Sequence, residues 1–299
     1  MAGVVTRFAP SPTGPLHLGH AYAAIIAHDM ARAASGRFLL RIEDIDQSRA
    51  RPKWETQILD DLHWLGLTWD GPVLRQSDRS ALYQGALDRL WSRSLLYPCT
   101  CSRRDIENAL SAPQEGAPVL GPDGLVYPGT CRPHGDSLTP NPTPRPTAAA
   151  LRLDIAKAAN AAITSANALE NLTFLETGQG PNGEHGRITT TPEAYRQVIG
   201  DIVLARRDMG TSYHLSVVLD DAAQDITHIT RGEDLFEATR IHVLLQHLLD
   251  LPTPTYHHHK LIRDAAGKRL AKRDDARALA KYRAEGATPT DIRALIGLL

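Results

Sequence analysis

The chain has no long hydrophobic run. Nowhere in its 299 residues is there anything close to the roughly 18–20 uninterrupted apolar residues of a membrane span, which excludes a helical membrane protein. Its start, Met1-Ala2-Gly3-Val4-Val5, lacks the basic-then-apolar pattern of a secretory signal, so a cytoplasmic protein with no membrane partner is expected. Surplus charge is lacking too. The formal net charge is −1 and the pI is about 6.9, which excludes a global basic field and leaves only local basic patches for a nucleic acid. Cysteine is scarce and odd in number. Cys99, Cys101 and Cys131 cannot all pair with one another, and in a reducing compartment they point to metal binding rather than a disulfide framework. The length allows a substantial core and two lobes, since domains run to about 100–150 residues.

What is present is concentrated near the beginning. Val4 to Phe8 carries β-branched residues suited to a buried strand, Pro10 and Pro12 stiffen the connection, and Gly14 permits a turn. An Ala-rich helix then opens at His17-Leu18-Gly19-His20. His17 and His20 are three apart and share one helix face near an N-terminus that favours anions, a phosphate-binding arrangement. Gly19 between them would let a flat ring such as adenine lie against the backbone. On the motif alone, a capped amphipathic helix with two incidental histidines is an equal alternative.

Further along, Arg37 to Ile42 reads as a second strand that ends in Glu43-Asp44-Ile45-Asp46, completing a βαβ unit. Ligands of such units collect at the carboxyl ends of the strands, where both the His17/His20 loop and Glu43 fall. Residues 51–65 and 81–95 show helical spacing of apolar residues assigned to core packing. From Tyr97 to Thr147 the chain is rich in Pro and Gly and holds all three cysteines. A zinc ion here would need a fourth ligand, for which spacing offers Tyr127, His134 or water, and free thiols in a loop-rich insert are the alternative. Residues 148–191 are uninformative: Leu151 to Ile155 is a candidate strand, 156–169 a helix or surface segment, and 178–186 a mobile loop. Asp201 to Asp208, Tyr213 to Asp221 and Ile226 to Asp234 read as three strands with polar ends, followed by a helix from Leu235 to Leu251. The basic run Lys268 to Arg273 is either a solvated face or a loop that closes over a triphosphate, and the residues after Arg273 suffice for two short helices.

In chain order, Arg7 to Gly14, His17 to His20, Arg41-Ile42-Glu43-Asp44, Tyr213-His214-Leu215, Asp220-Asp221, Arg231-Gly232-Glu233-Asp234 and Arg269-Leu270-Ala271-Lys272-Arg273 resemble the motifs of class I aminoacyl-tRNA synthetases of the glutamyl type. Three features resemble that family's short form, the glutamyl-queuosine tRNA(Asp) synthetases. The chain stops soon after the basic run, Val217 stands where full glutamyl enzymes usually have Asn, and Cys99, Cys101, Tyr127 and Cys131 match the short form's zinc ligands. Arg269 and Ala271 depart from the family's basic signature, while Lys272 keeps its charge.

The resemblance implies an α/β fold: a Rossmann-type class I catalytic domain with an inserted zinc-containing subdomain and a short helical C-terminal segment, without an anticodon-binding domain. Its expected division is 1–97 and 191–251 for the two halves, 98–190 for the insertion and 252–299 for the basic loop and terminal helices. It further implies activation of L-glutamate by ATP, with Mg²⁺, and transfer to queuosine in the anticodon of tRNA(Asp), by a monomer. His17, His20 and Lys272 would be catalytic and, with Gly19, would bind ATP. Arg7, Ser11, Glu43, Tyr213 and Arg231 would bind glutamate, unless Arg231 pairs with Glu233 or Asp234 instead. Cys99, Cys101, Tyr127 and Cys131 would hold one structural Zn²⁺. The alternatives are a truncated glutamyl-tRNA synthetase charging tRNA(Glu), or a non-catalytic synthetase-like protein that binds nucleotide or tRNA.

Overall fold

A computed structural model describes residues 3–111, 120–133, 141–165, 171–262 and 277–298. The expected basic signature, Arg269 to Arg273 with Lys272, and His134 lie outside them. The chain begins with strand β1 (Val5–Phe8), helix α1 (Leu18–Ala33) and strand β2 (Arg37–Ile42), β1 and β2 pairing in parallel as expected of a βαβ unit. Small residues on the buried face of α1, Ala21, Ala24, Ala27 and Ala31, let the helix lie close to the strands. The Thr6 hydroxyl reaches across to donate to the Ala27 carbonyl at 2.7 Å. The return into β2 passes so near β1 that a Cβ at Gly36 would sit 2.0 Å from the Val4 carbonyl oxygen, so only glycine fits.

Helix α2 (Pro52–Trp64) leads to the short strand β3 (Leu74–Arg75), parallel to β2, and then to α3 (Ser80–Ser92). An antiparallel sheet comes next. Strand β4 (Leu96–Cys99) pairs with β7 (Ala150–Leu153), which pairs with β10 (Ile202–Ala205). Between β4 and β7 lie α4 (Arg103–Ser111) and the hairpin of β5 (Leu120–Gly121) and β6 (Gly124–Leu125). After β7 come α5 (Ile155–Ser165), the antiparallel pair β8 (Leu172–Glu176) and β9 (Gly186–Thr190), and a short turn α6 (Pro192–Ala194). The segment expected to be a mobile loop, 178–186, is closed by Gly180 N–H to Glu184 O and Gly183 N–H to Gly180 O.

The second half contains α7 (Tyr213–Ala223), β11 (His228–Gly232), α8 (Ala238–Leu248) and β12 (Thr255–His259), and two short helices, α9 (Leu279–Ala284) and α10 (Pro289–Leu295), come after the basic run as expected. Strands β11, β12 and β8 are parallel neighbours, and Thr227 N–H donates to Val5 O at 3.0 Å, joining β11 to β1. One expected strand is wrong. Tyr213 to Asp221 is helical, capped by Ser212, whose hydroxyl accepts from Leu215 N–H. Every residue from His214 to Asp221 is buried, so the helix shows no exposed polar stripe and reads in sequence like a buried strand. Among the described residues no helix is long and apolar enough to cross a membrane.

Asp220 of α7 is fully buried and takes the Tyr83 hydroxyl at 2.7 Å, Gln76 Nε2 at 2.9 Å and Arg79 Nε at 3.0 Å. It therefore clamps α3, and the turn before it, onto α7. Asp220→Ala strands three donors at once and is expected to cost on the order of 3 kcal/mol, read as a lower urea midpoint with an unchanged slope. A loss under about 1 kcal/mol would show that the clamp is incidental.

Candidate active site

His17 is the N-cap of α1, and the two histidines cap the helix reciprocally. His17 Nδ1 accepts from Gly19 N–H at 3.1 Å, and His20 Nδ1 accepts from His17 N–H at 3.2 Å. The rings lie 3.8 Å apart between centroids. Because each Nδ1 is used as an acceptor, a neutral ring carries its proton on Nε2. The histidines thus present ring donors at the helix start, and Gly19 N–H is already occupied by an imidazole.

At the carboxyl end of β2, Arg41 is completely buried. It donates to Asp221 at 2.6 Å, to Glu43 at 3.1 Å and to Gln224 at 3.1 Å. Arg7, from β1, bonds the same Asp221 through Nε at 2.9 Å and donates to the Thr230 carbonyl at 3.3 Å. Burial alone would push the Asp221 carboxyl up, but Arg41 and Arg7 outweigh it and hold the group below its usual range. For Glu43 burial wins: its carboxyl is raised in spite of Arg41 and Arg7. Burial likewise raises the Tyr213 phenol, and the nearby Glu43 charge adds to this.

Arg231, from β11, is buried and does not pair with Glu233 or Asp234. Its Nε donates to His258 Nε2 at 3.2 Å, Nη1 to His242 Nδ1 at 3.0 Å and Nη2 to the Thr239 hydroxyl. Its guanidinium also lies 5.2 Å from the centre of the Tyr256 ring. Among the described residues no carboxylate forms an ion pair with it.

A cavity of about 520 Å³ brings together Ser11, Thr13, His20, Glu43 and Tyr213, with Arg206 at its edge. Tyr213 and Arg206 also line a second cavity of about 550 Å³, which Cys101, Asp123, Arg152 and His214 bound on the other side. Arg7 and Arg231 lie among the buried groups around Tyr213 rather than on the cavity wall.

The three cysteines converge where β4 ends. Their sulfurs lie within 4.8 Å of one another, with Cys101 Sγ and Cys131 Sγ 3.5 Å apart. The Tyr127 oxygen is 3.5 Å from Cys99 Sγ and 3.4 Å from Cys101 Sγ, and accepts Cys131 N–H at 2.8 Å. Thiolates on a tetrahedral zinc with ~2.3 Å bonds stand ~3.8 Å apart, so this donor set fits that ion. Arg152 stacks on the Tyr127 ring at 3.8 Å and donates to Cys99 Sγ at 3.3 Å.

Sequence reasoning gave no role to Arg41 and Asp221, although both lie in the motifs that carry the resemblance. It passed over Glu176, His242 and His258 entirely. The one available signal was the run His257-His258-His259, in which strand alternation turns the middle ring to the opposite face from its neighbours.

A family model for the catalytic domain of class I tRNA synthetases (E and Q) matches residues 3–119 and 182–299. The glutamyl-Q tRNA(Asp) synthetase of Rhodobacter capsulatus is 68% identical over 295 residues, covering 99% of this chain and all of the relative. The protein of the same name from Nocardia farcinica is 40% identical, over 98% of this chain and 84% of its own. Among solved structures, a glutamate tRNA ligase from Elizabethkingia meningosepticum in complex with its amino acid superposes with a TM-score of 0.72 at 25% identity. That match covers 98% of this chain and 60% of the ligase. With paired histidines opening α1, an acid–arginine cluster at the strand ends and this extent of likeness, the chain is a ligase that belongs to the class I tRNA synthetases of the glutamyl and glutaminyl type.

Proposed function

We propose that this protein activates L-glutamate with ATP and transfers it to queuosine in the anticodon of tRNA(Asp). The observation that carries the amino-acid half is a charge balance. Among the buried groups Arg7, Arg41, Asp221 and ionised Glu43 sum to zero, and Arg231, with no ion pair among the described residues, leaves a surplus of positive charge to which Arg206 on the cavity wall adds. Glutamate brings one net negative charge, whereas glutamine brings none. The acceptor half rests on the likeness to the glutamyl-Q tRNA(Asp) synthetase of Rhodobacter capsulatus, which is matched over its whole length.

In this mechanism a glutamate carboxylate oxygen attacks the α-phosphorus of ATP and pyrophosphate leaves, giving glutamyl-adenylate. Arg7 and Arg231 receive carboxylate oxygens, Glu43 receives the α-ammonium, and Ser11 and Tyr213 add hydrogen bonds. His17 and His20 donate their Nε2 protons to phosphate oxygens as charge develops, and Gly19 lets the nucleotide approach α1. Lys272 neutralises the departing pyrophosphate. Mg²⁺, which class I synthetases use, supplies charge neutralisation of the phosphate oxygens. Cys99, Cys101 and Cys131, with Tyr127 as the fourth ligand, hold one structural Zn²⁺ in an insertion spanning 98–190.

Three experiments test this. Labelled glutamate and ATP are offered with tRNA(Asp) bearing or lacking queuosine, and with tRNA(Glu). Label is expected on queuosine-bearing tRNA(Asp) alone, and label on tRNA(Glu) instead would overturn the acceptor. For the ammonium site, kcat/KM for glutamate is followed against pH at saturating ATP. Because burial raises Glu43, the carboxylate that meets the ammonium is lost, as pH falls, earlier than a solvated Glu at about 4.3 would lose it. An acid limb confined to the ordinary carboxylate range would remove Glu43 from that role. Elemental analysis should find one zinc per chain, lost in Cys99→Ser/Cys131→Ser; stoichiometric zinc in that double variant would place the metal elsewhere.

A further inference from the structure

Arg231 is held by groups whose hydrogen positions the surroundings decide. Glu176, at the end of β8, is completely buried. Its Oε1 takes the backbone N–H groups of Gly178 at 2.7 Å and His258 at 2.9 Å, and its Oε2 faces His258 Nδ1 at 2.5 Å. The chain can close this tightly because residue 178 is glycine: a Cβ there would lie 2.1 Å from the His258 carbonyl oxygen. An ionised carboxylate has no hydrogen to give, so the proton in the last contact sits on Nδ1, and Nε2 of the neutral ring is an acceptor. That acceptor meets Arg231 Nε.

A second arm obeys the same logic. His242 Nδ1 accepts from Arg231 Nη1, which puts the His242 proton on Nε2, 3.1 Å from His214 Nδ1. His214 then carries its proton on Nε2, which faces Asp123 Oδ1 at 3.5 Å. In the first arm the Glu176 carboxylate fixes the tautomer, in the second the Arg231 bond to His242 does, and neither arm brings a carboxylate directly onto the guanidinium. Five N–H groups minus the three engaged leave two for a ligand.

We propose that Glu176 and His258, together with His242 and His214, are positioning residues that orient Arg231 through neutral acceptors while leaving its charge unneutralised, and so make the site select an anionic side chain over its amide. This rests on the glutamate assignment above and deepens it. Two aspects are tied together: the direction of the guanidinium and the charge it offers. A carboxylate placed directly on Arg231 would secure the first and cancel the second.

Glu176→Gln is the incisive variant. The amide oxygen keeps both backbone bonds of Oε1, while the amide nitrogen replaces Oε2 and donates to Nδ1. The ring must then carry its proton on Nε2, donor against donor with Arg231. Glutamate-dependent ATP–pyrophosphate exchange, measured without tRNA, should show KM for glutamate raised about tenfold or more, with kcat and KM for ATP little changed and the melting temperature lowered by the buried donor pair. The preference for glutamate over glutamine should fall. Adding His258→Gln to this variant offers Arg231 an amide oxygen in place of Nε2 and should restore KM toward the parent value. Imidazole ¹⁵N NMR of the ligand-free parent should find His258 protonated at Nδ1, and at Nε2 in Glu176→Gln. If Glu176→Gln does not fold, His242→Leu against His242→Gln asks the same of the other arm, with the higher glutamate KM expected in the leucine variant. A parent ring protonated at Nε2, or an unchanged glutamate KM in the folded variants, overturns the proposal. A parent with no glutamate-dependent exchange overturns the glutamate assignment and the ligand named here with it, whatever the tautomers prove to be.

Discussion

The carboxylate of Asp221 is bonded by two arginines from two different strands, and the architecture of the site depends on that sharing. Arg7 comes from β1 and Arg41 from β2, while Asp221 comes from α7, more than 200 residues from Arg7 in sequence. A buried acid between two buried cations is stable only with all three partners present, because removing one leaves charge uncompensated in a poorly solvated place. The helix α7 is therefore locked against the βαβ unit, and Tyr213 at its first turn is delivered to the cavity beside Glu43. Asp220, the adjacent residue, binds the other side of the same helix to Tyr83, Gln76 and Arg79. Two neighbouring acids thus divide the labour between the site and the scaffold.

The same accounting separates the two arginines assigned to carboxylates. Unit charges about 4 Å apart at a protein's effective dielectric attract by about 4 kcal/mol, so an arginine already paired with an acid gains less from an incoming anion. Arg7 is in that position through Asp221. Arg231 is surrounded by His258, His242, Thr239 and the face of Tyr256, which accept or polarise without cancelling charge. In the proposed glutamate site Arg7 would therefore contribute shape and direction, and Arg231 the field.

Much of this was legible in the chain because it is local. The strand, turn and helix of residues 4–27 arise from β-branched residues, prolines and an alanine-rich stretch, and the cysteine spacing alone suggested a metal cluster. The failures have a common physical origin in burial. Tyr213 to Asp221 carries no solvent-exposed face, because its polar residues are buried with the rest, so no exposed stripe marks its helical period. Glu176 and His258 are 82 residues apart and meet because β8 and β12 pair in parallel, a register that neither segment encodes by itself. Neighbouring side chains also decide where Arg231 points. An ion pair with Glu233 or Asp234 fits the local sequence, but strand β11 sends its guanidinium inward to the histidines of α8 and β12.

The opening histidines illustrate how a motif changes meaning once its hydrogens are assigned. Spacing places His17 and His20 on one face, and a helix N-terminus favours anions through its exposed amides. In the fold, however, the imidazoles consume the His17 and Gly19 N–H groups through their Nδ1 atoms. The donor capacity is carried outward, from the fixed amides to the Nε2–H groups at the far edge of each ring. A ring donor reaches further from the helix axis than an amide, and its neutral state leaves Nδ1 able to accept. Protonating either ring would put a donor against the backbone N–H it now accepts, breaking the cap that orients it. The neutral tautomer is therefore the one the cap itself calls for, and the same two bonds that start α1 orient the rings to which the proposed phosphate contacts are assigned.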